Sequence, residues 1–207
     1  MQNEKLTDMQ RDALKELGNI GAGSAATALS QLLGKDIKLN VPDVTIIPIE
    51  KVNEKIAKHQ QIIAAVYLRI YGEIQARALL ILPQDKIFYI IDLLMKKKLG
   101  TTREFGENEQ SAIKEIGNII ISSYLNALAK FIGLNSVPSV PALAVDMADA
   151  IIQTISAELA EVGPDAFLIE NEMVEKETDL STTLLILPEM TSMKKILKAL
   201  NDTIKGS

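Results

Sequence analysis

Two carboxylate–amide pairs carry the most chemistry in their spacing. Glu16 and Asn19 stand three apart, and Glu115 and Asn118 repeat that spacing 99 residues later. Residues three apart on a helix lie on neighbouring turns of one face, so each pair sets a carboxylate beside a carboxamide. The carboxylate accepts hydrogen bonds and suits a cationic partner, whereas the carboxamide both donates and accepts. Asp12 extends the first face one turn back, and Ser111 holds the same place in the second. Leu14, Leu17, Ile113 and Ile116 fall on a different face, which leaves the pairs pointing outward. Exposed residues diverge first in a duplicated chain, yet both Glu and both Asn are retained. That retention argues for function and against a merely solvated face.

Other chemistry is thin. The single histidine, His59, follows Lys55 and Lys58 and reads as a solvated loop residue. One histidine builds neither a histidine metal cluster nor a Ser-His-Asp triad in each half. The absence of cysteine removes disulfides, thiolate nucleophiles, zinc ribbons and iron–sulfur clusters. These counts leave no histidine or cysteine metal site to expect. Gly18-Asn-Ile-Gly21-Ala-Gly23 has the wrong spacing for a phosphate loop, follows no strand, and lies within a helical pattern. Its glycines read as sites of close packing. With 22 Lys and Arg against 27 Asp and Glu, a net charge of −5 and 4% aromatic residues, the chain is a poor nucleic-acid binder. The hydrophobic share of 47% against 24% charged residues supports a sizeable core. Ile62–Leu68 is the longest apolar run, far short of the roughly 20 residues that span a bilayer. The polar start, MQNEKLTDMQRD, does not read as a signal peptide. A soluble, cytoplasmic protein with no membrane insertion is expected.

The elements that position the pairs come in two copies. Residues 12–42 laid over 111–141 match at 12 of 31 positions without a gap, including ALKELGNI over AIKEIGNI. Leu79-Leu80-Ile81-Leu82-Pro83 recurs as Leu184-Leu185-Ile186-Leu187-Pro188, 105 residues on. The apolar periodicity predicts helices over Thr7–Leu33 and Glu109–Ile132, stopped by Gly34 and Gly133. A hairpin follows over residues 61–82 with its turn at Tyr71-Gly72, then a helix over Gln84–Lys97. The second half gives strands over Asp165–Glu175 and Leu180–Leu187, a turn over 176–179, and a helix from Pro188 to about Ile204. Asp146–Glu161 reads as an extra helix. The expected fold is α+β: one domain over 1–207, made of two repeats (about 7–99 and 106–204). A pseudo-two-fold axis relates them, with two long exposed helices packed on a shared sheet.

Asp12-x3-Glu16-x2-Asn19-x22-Pro42 and Ser111-x3-Glu115-x2-Asn118-x22-Pro141 both spell the signature of the CheC/CheX/FliY chemotaxis phosphatases. The chain resembles that family over its whole length, and its CheC branch most. A CheX-like layout would carry one pair, and a FliY-like one would add a flagellar switch domain and an N-terminal regulator-binding segment. The resemblance implies an enzyme that removes the phosphoryl group from the aspartyl phosphate of the response regulator CheY. The partner receiver domain would supply Mg and a lysine, so the resemblance implies no cofactor and no metal of the protein's own. Asn19 or Asn118 would orient the attacking water, and Glu16 or Glu115 would pair with that lysine. Pro42 and Pro141, with Asp12 and Ser111, support the motif. One departure stands out: Ile119–Ser123 replaces Ile20-Gly-Ala-Gly-Ser24, so the two faces differ in bulk and unequal activity is expected.

The resemblance also implies binding of the receptor deamidase CheD through the second half's extra helix, with Asp146, Asp149, Ile152 and Gln153 as contact residues. Ala150-x2-Gln153-Thr154-x2-Ala157 partly imitates a receptor deamidation site, with Thr154 replacing the second Gln or Glu. The alternative is an amphipathic helix whose Ile151, Ile152 and Ile155 enter the core. Two further readings of the whole stay open: a CheD-binding module with slight phosphatase activity, or a structural component with vestigial sites.

Overall fold

Each half begins with a 26-residue helix whose ends follow from the sequence. In the computed structural model, which describes residues 6–41, 44–52, 54, 62–158, 164–175 and 178–206, α1 spans Asp8–Leu33. Thr7 caps it reciprocally with Gln10, the two side chains bonding each other's backbone N–H at 3.2 and 2.8 Å. Gly34 ends it in the left-handed region (φ 64°) and returns its N–H to Ser30 O at 2.9 Å. After α2 (Gln84–Leu94), the second long helix, α3, spans Glu107–Ile132 and stops at Gly133. It starts two residues earlier than its apolar pattern indicates, because Glu107 and Glu109 suit the positive end of the helix. All eight buried positions of α1, Leu14, Leu17, Gly18, Gly21, Ala22, Ala25, Leu29 and Leu33, recur as buried positions of α3 at a shift of 99.

The halves share one eight-stranded antiparallel sheet by trading strands. β1 (Lys38–Asn40) and β2 (Val44–Pro48) leave α1 and pair along β7 (Asp165–Glu175) of the other half. β5 (Ser136–Pro138) and β6 (Ala142–Met147) leave α3 and pair along β3 (Ile62–Gly72) of the first. The hairpins β3–β4 (Ala76–Pro83) and β7–β8 (Thr178–Pro188) meet at the centre, where β4 pairs with β8. The strand order therefore reads the same from either edge when the halves are exchanged, as a pseudo-two-fold axis requires. The axis passes among four leucines, Leu79 opposite Leu185 and Leu80 opposite Leu184.

That register corrects one sequence match. The two Leu-Leu-Ile-Leu-Pro runs align at 105, but Leu79 faces the same side of the sheet as Leu185, and Leu80 the same side as Leu184. A shift of one residue turns a strand over. The runs are apolar at every position and the central strands are covered on both faces, so the mismatch leaves no polar group in the core. The hairpin turn also lies further on than expected: Tyr71 and Gly72 belong to β3, and Gly72 (φ 116°) sits against Asn135 O, where a Cβ would stand 2.9 Å away.

Helices cover both faces unequally. α1, α2, α3 and α5 (Met190–Gly206) pack on one, burying Leu14, Leu29, Ile113 and Ile120 against Val66, Leu68, Leu80 and Leu184. The opposite face carries a smaller core of Ile63, Leu79, Ile81, Leu168 and Leu185 beneath α4 (Ala148–Glu158), which contributes Ile151 and Ile152. Layered helix and antiparallel sheet make the α+β fold that the duplication predicts.

Candidate functional site

Glycine decides how closely the site helices approach what lies beneath them. A Cβ on Gly21 would stand 2.6 Å from Cδ1 of Tyr124 on α3, so the ring fills the space that Gly21 leaves. Gly18 lies over Val44 Cγ2, where a Cβ would stand 2.9 Å away, and Gly117 is pressed against Val66 of β3. Gly18 and Gly21 are therefore sites of close packing, as their helical context predicts, whereas Gly23 is exposed and packs against nothing. Burial on Gly21 pushes the Tyr124 hydroxyl well above the ordinary phenol pKa.

With the glycine face turned inward, the carboxylate–amide face turns to solvent. Asp12, Glu16 and Asn19 are exposed on α1, and Ser111 and Glu115 are exposed on α3. Asn118 is half-buried, and its Oδ1 accepts from Ser122 Oγ at 3.5 Å. Ser111 Oγ is turned back on its own helix, donating to Glu107 O at 2.9 Å. Both pairs thus share one helical layer on one side of the sheet. Pro141 is half-buried just before β6; Pro42 and His59 lie outside the described residues. The symmetry is broken near the prolines, since Val41 is 4% exposed and its counterpart Val140 is 88% exposed. Among the described residues, no group of three or more Asp, Glu, His or Cys side chains is placed to hold a metal ion.

The four residues singled out around the extra helix separate. Asp146 is not helical: it is exposed on β6 and its Oδ1 accepts from the Met147 N–H at 2.7 Å. Asp149 is half-buried in the first turn of α4, and Gln153 and Thr154 are exposed. Ile152 is buried in the smaller core with Ile151 and offers no surface contact. A helix lying flat on a sheet must turn an apolar stripe inward, and these two isoleucines are that stripe. Residues 159–161, the end of the expected helix, lie outside the described residues. Beside α4 is a cavity of about 420 Å³, lined by Ala65, Tyr67, Leu79, Asp146, Ile151 and Thr154 among others. Sequence alone gives no signal for it, because its walls come from four separate elements.

Residues 9–46 and 109–144, which hold both pairs, match the model of the CheC-like family. The CheY-P phosphatase CheC of Bacillus subtilis (strain 168) is 30% identical, across 96% of this chain and 97% of that protein. This chain belongs to the CheC-like family. The flagellar motor switch phosphatase FliY of the same organism is 32% identical over 61% of this chain, which is 33% of that longer protein. Among solved structures, Thermotoga maritima FliY superposes with a TM-score of 0.77 at 24% identity, covering 96% of this chain and 98% of that one. A chain of a FliM–SpeE complex from H. pylori gives 0.70 at 12% identity, covering 96% of this chain and 98% of that one. The same fold is therefore found in solved structures of low sequence identity to this chain. No helix among the described residues is long and apolar enough to cross a membrane.

Proposed function

We propose that the protein is a phosphatase for the aspartyl phosphate of the chemotaxis response regulator CheY, acting through two sites, Glu16/Asn19 and Glu115/Asn118. The observation that carries this is the repetition of the pair on the outward faces of two packed helices, in a family whose B. subtilis member is named a CheY-P phosphatase. The chemistry asks little of the protein. Water attacks phosphorus, the bond between phosphorus and the aspartyl oxygen breaks, and the aspartate leaves as its carboxylate while both of the water's protons go with the inorganic phosphate. An acyl phosphate is already activated, and the receiver brings its own Mg and lysine. What remains is to hold the water in line with the breaking bond. A carboxamide does so by donating and accepting at once, without acting as a base. The neighbouring glutamate pairs with the receiver's lysine and sets the docking register. The reading places the protein in the cytoplasm with its regulator. Loss of labelled phosphate from CheY-P on adding the protein is the test; phosphate retained at the regulator's own decay rate would refute it.

A second contact is supported by α4. Gln153 and Thr154 are exposed on the side of the sheet opposite the pairs, in a segment that partly imitates a receptor deamidation site. We assign that face to the deamidase CheD, with Gln153 towards its catalytic centre and Thr154 preventing turnover. Co-purification should survive Asn19→Ala and be lost in Gln153→Lys. Retention by Gln153→Lys would place the contact elsewhere.

A further inference from the structure

The two carboxamides differ in their surroundings. Asn19 is exposed, and the residue one turn on, Gly23, has no side chain to offer it and, apart from its own stretch of helix, no atom within 4 Å of where a Cβ would stand. Asn118 is half-buried, and the residue one turn on is Ser122, whose Oγ reaches Asn118 Oδ1. Helical hydroxyls ordinarily bond the carbonyl one turn back. Thr27, Ser111 and Ser123 on the same two helices do so, reaching Gly23, Glu107 and Ile119 at 2.9, 2.9 and 2.8 Å. Ser122 gives its proton to a side chain instead.

We propose that Ser122 is a positioning residue that holds the Asn118 carboxamide ready for its water, so that the second site turns over faster than the first. The inference rests on the phosphatase reading of the Glu/Asn pairs. An unrestrained carboxamide samples both orientations of its oxygen and nitrogen and several χ1 and χ2 wells, and must give these up in the transition state. A hydroxyl on Oδ1 selects one orientation in the free protein. It occupies one lone pair and leaves the second, with both N–H donors, for the water and the phosphoryl oxygens. The 3.5 Å separation marks a weak bond, so orientation is biased, not locked. The expected effect is therefore that of one neutral hydrogen bond, roughly threefold to tenfold in rate.

The test uses the full chain carrying Asn19→Ala, in which only the second site works. Adding Ser122→Ala should lower kcat for CheY-P discharge roughly threefold to tenfold with KM unchanged, and Ser122→Thr should restore it. An unchanged kcat, or an effect confined to KM, overturns the proposal. A second readout does not depend on catalysis. By NMR, the side-chain amide of Asn118 should have a higher order parameter than that of Asn19, and Ser122→Ala should bring it down to the Asn19 level. Should wild-type protein discharge no CheY-P, the phosphatase reading fails on its own, and an Asn118 amide signal unmoved by Ser122→Ala would separately overturn the positioning role.

Discussion

In the proposed mechanism a glutamate and an asparagine three residues apart divide the work of a site between docking and chemistry, and substitutions should separate the two. Glu16 and Glu115 are exposed carboxylates, suited to find a cation on a partner but not to abstract a proton in a dry pocket. In protein carrying Asn118→Ala, which leaves the first site, Glu16→Gln should raise KM for CheY-P by roughly tenfold or more and change kcat less. Steady-state discharge kinetics check this; a fall confined to kcat would make the glutamate part of the chemistry. The pairs were legible in the sequence because three-residue spacing and duplication are both visible there. The half-burial of Asn118 was not, because the cover comes from packing around α3 and not from the motif.

At the scale of elements, the long helices could be read from period and caps, while β1, β2, β5 and β6 could not. Those strands are three to six residues long, and their hydrogen-bond partners lie in the opposite half of the chain. The central strands announced themselves as apolar but not which side they face, since both faces are buried and alternation is lost. Helix seating predicts a contrast between glycines. Gly117→Ala should cost about 1–3 kcal/mol in chemical denaturation, because its methyl would enter Val66. Gly23→Ala meets open space and should stabilise by about 0.5–1 kcal/mol. Equal effects at the two positions would mean that α3 does not sit on β3 as described.

The connector between halves has its own anchor. Asp92, buried at the end of α2, accepts from the N–H groups of Gly100 (2.6 Å), Thr101 (3.0 Å) and Thr102 (3.1 Å) and from Thr102 Oγ1 (2.6 Å). Burial pushes its carboxyl pKa up, but the donors together outweigh it and hold the pKa below the ordinary carboxylate value. A depressed folded-state pKa contributes stability that is present above the unfolded pKa, about 4, and is lost as pH falls below it. Asp92→Asn should therefore lower Tm at pH 7, and its deficit against wild type should shrink below about pH 4. A deficit independent of pH would show that the charge is not what the loop recognises.

For the whole molecule, exchanged strands make the halves depend on each other. β1 and β2 of the first half have their ladder partner in β7, so residues 7–99 alone would expose two strands with nothing to pair. The intact chain should unfold in one transition by far-ultraviolet circular dichroism and by tyrosine signals, and the 7–99 fragment should not fold; two separate transitions would contradict the interleaving. The same symmetry sets both Glu/Asn pairs on one helical layer, so the protein carries two candidate sites and single substitutions leave one behind. Discharge of labelled CheY-P by Asn19→Ala/Asn118→Ala protein is thus the most direct measurement. The double variant should keep the wild-type circular dichroism spectrum and melting transition and lose hydrolysis, each site falling on the order of 10²-fold or more. Each single variant should retain part of the activity. Wild-type rates in the folded double variant would contradict the assignment of the chemistry to these two side chains.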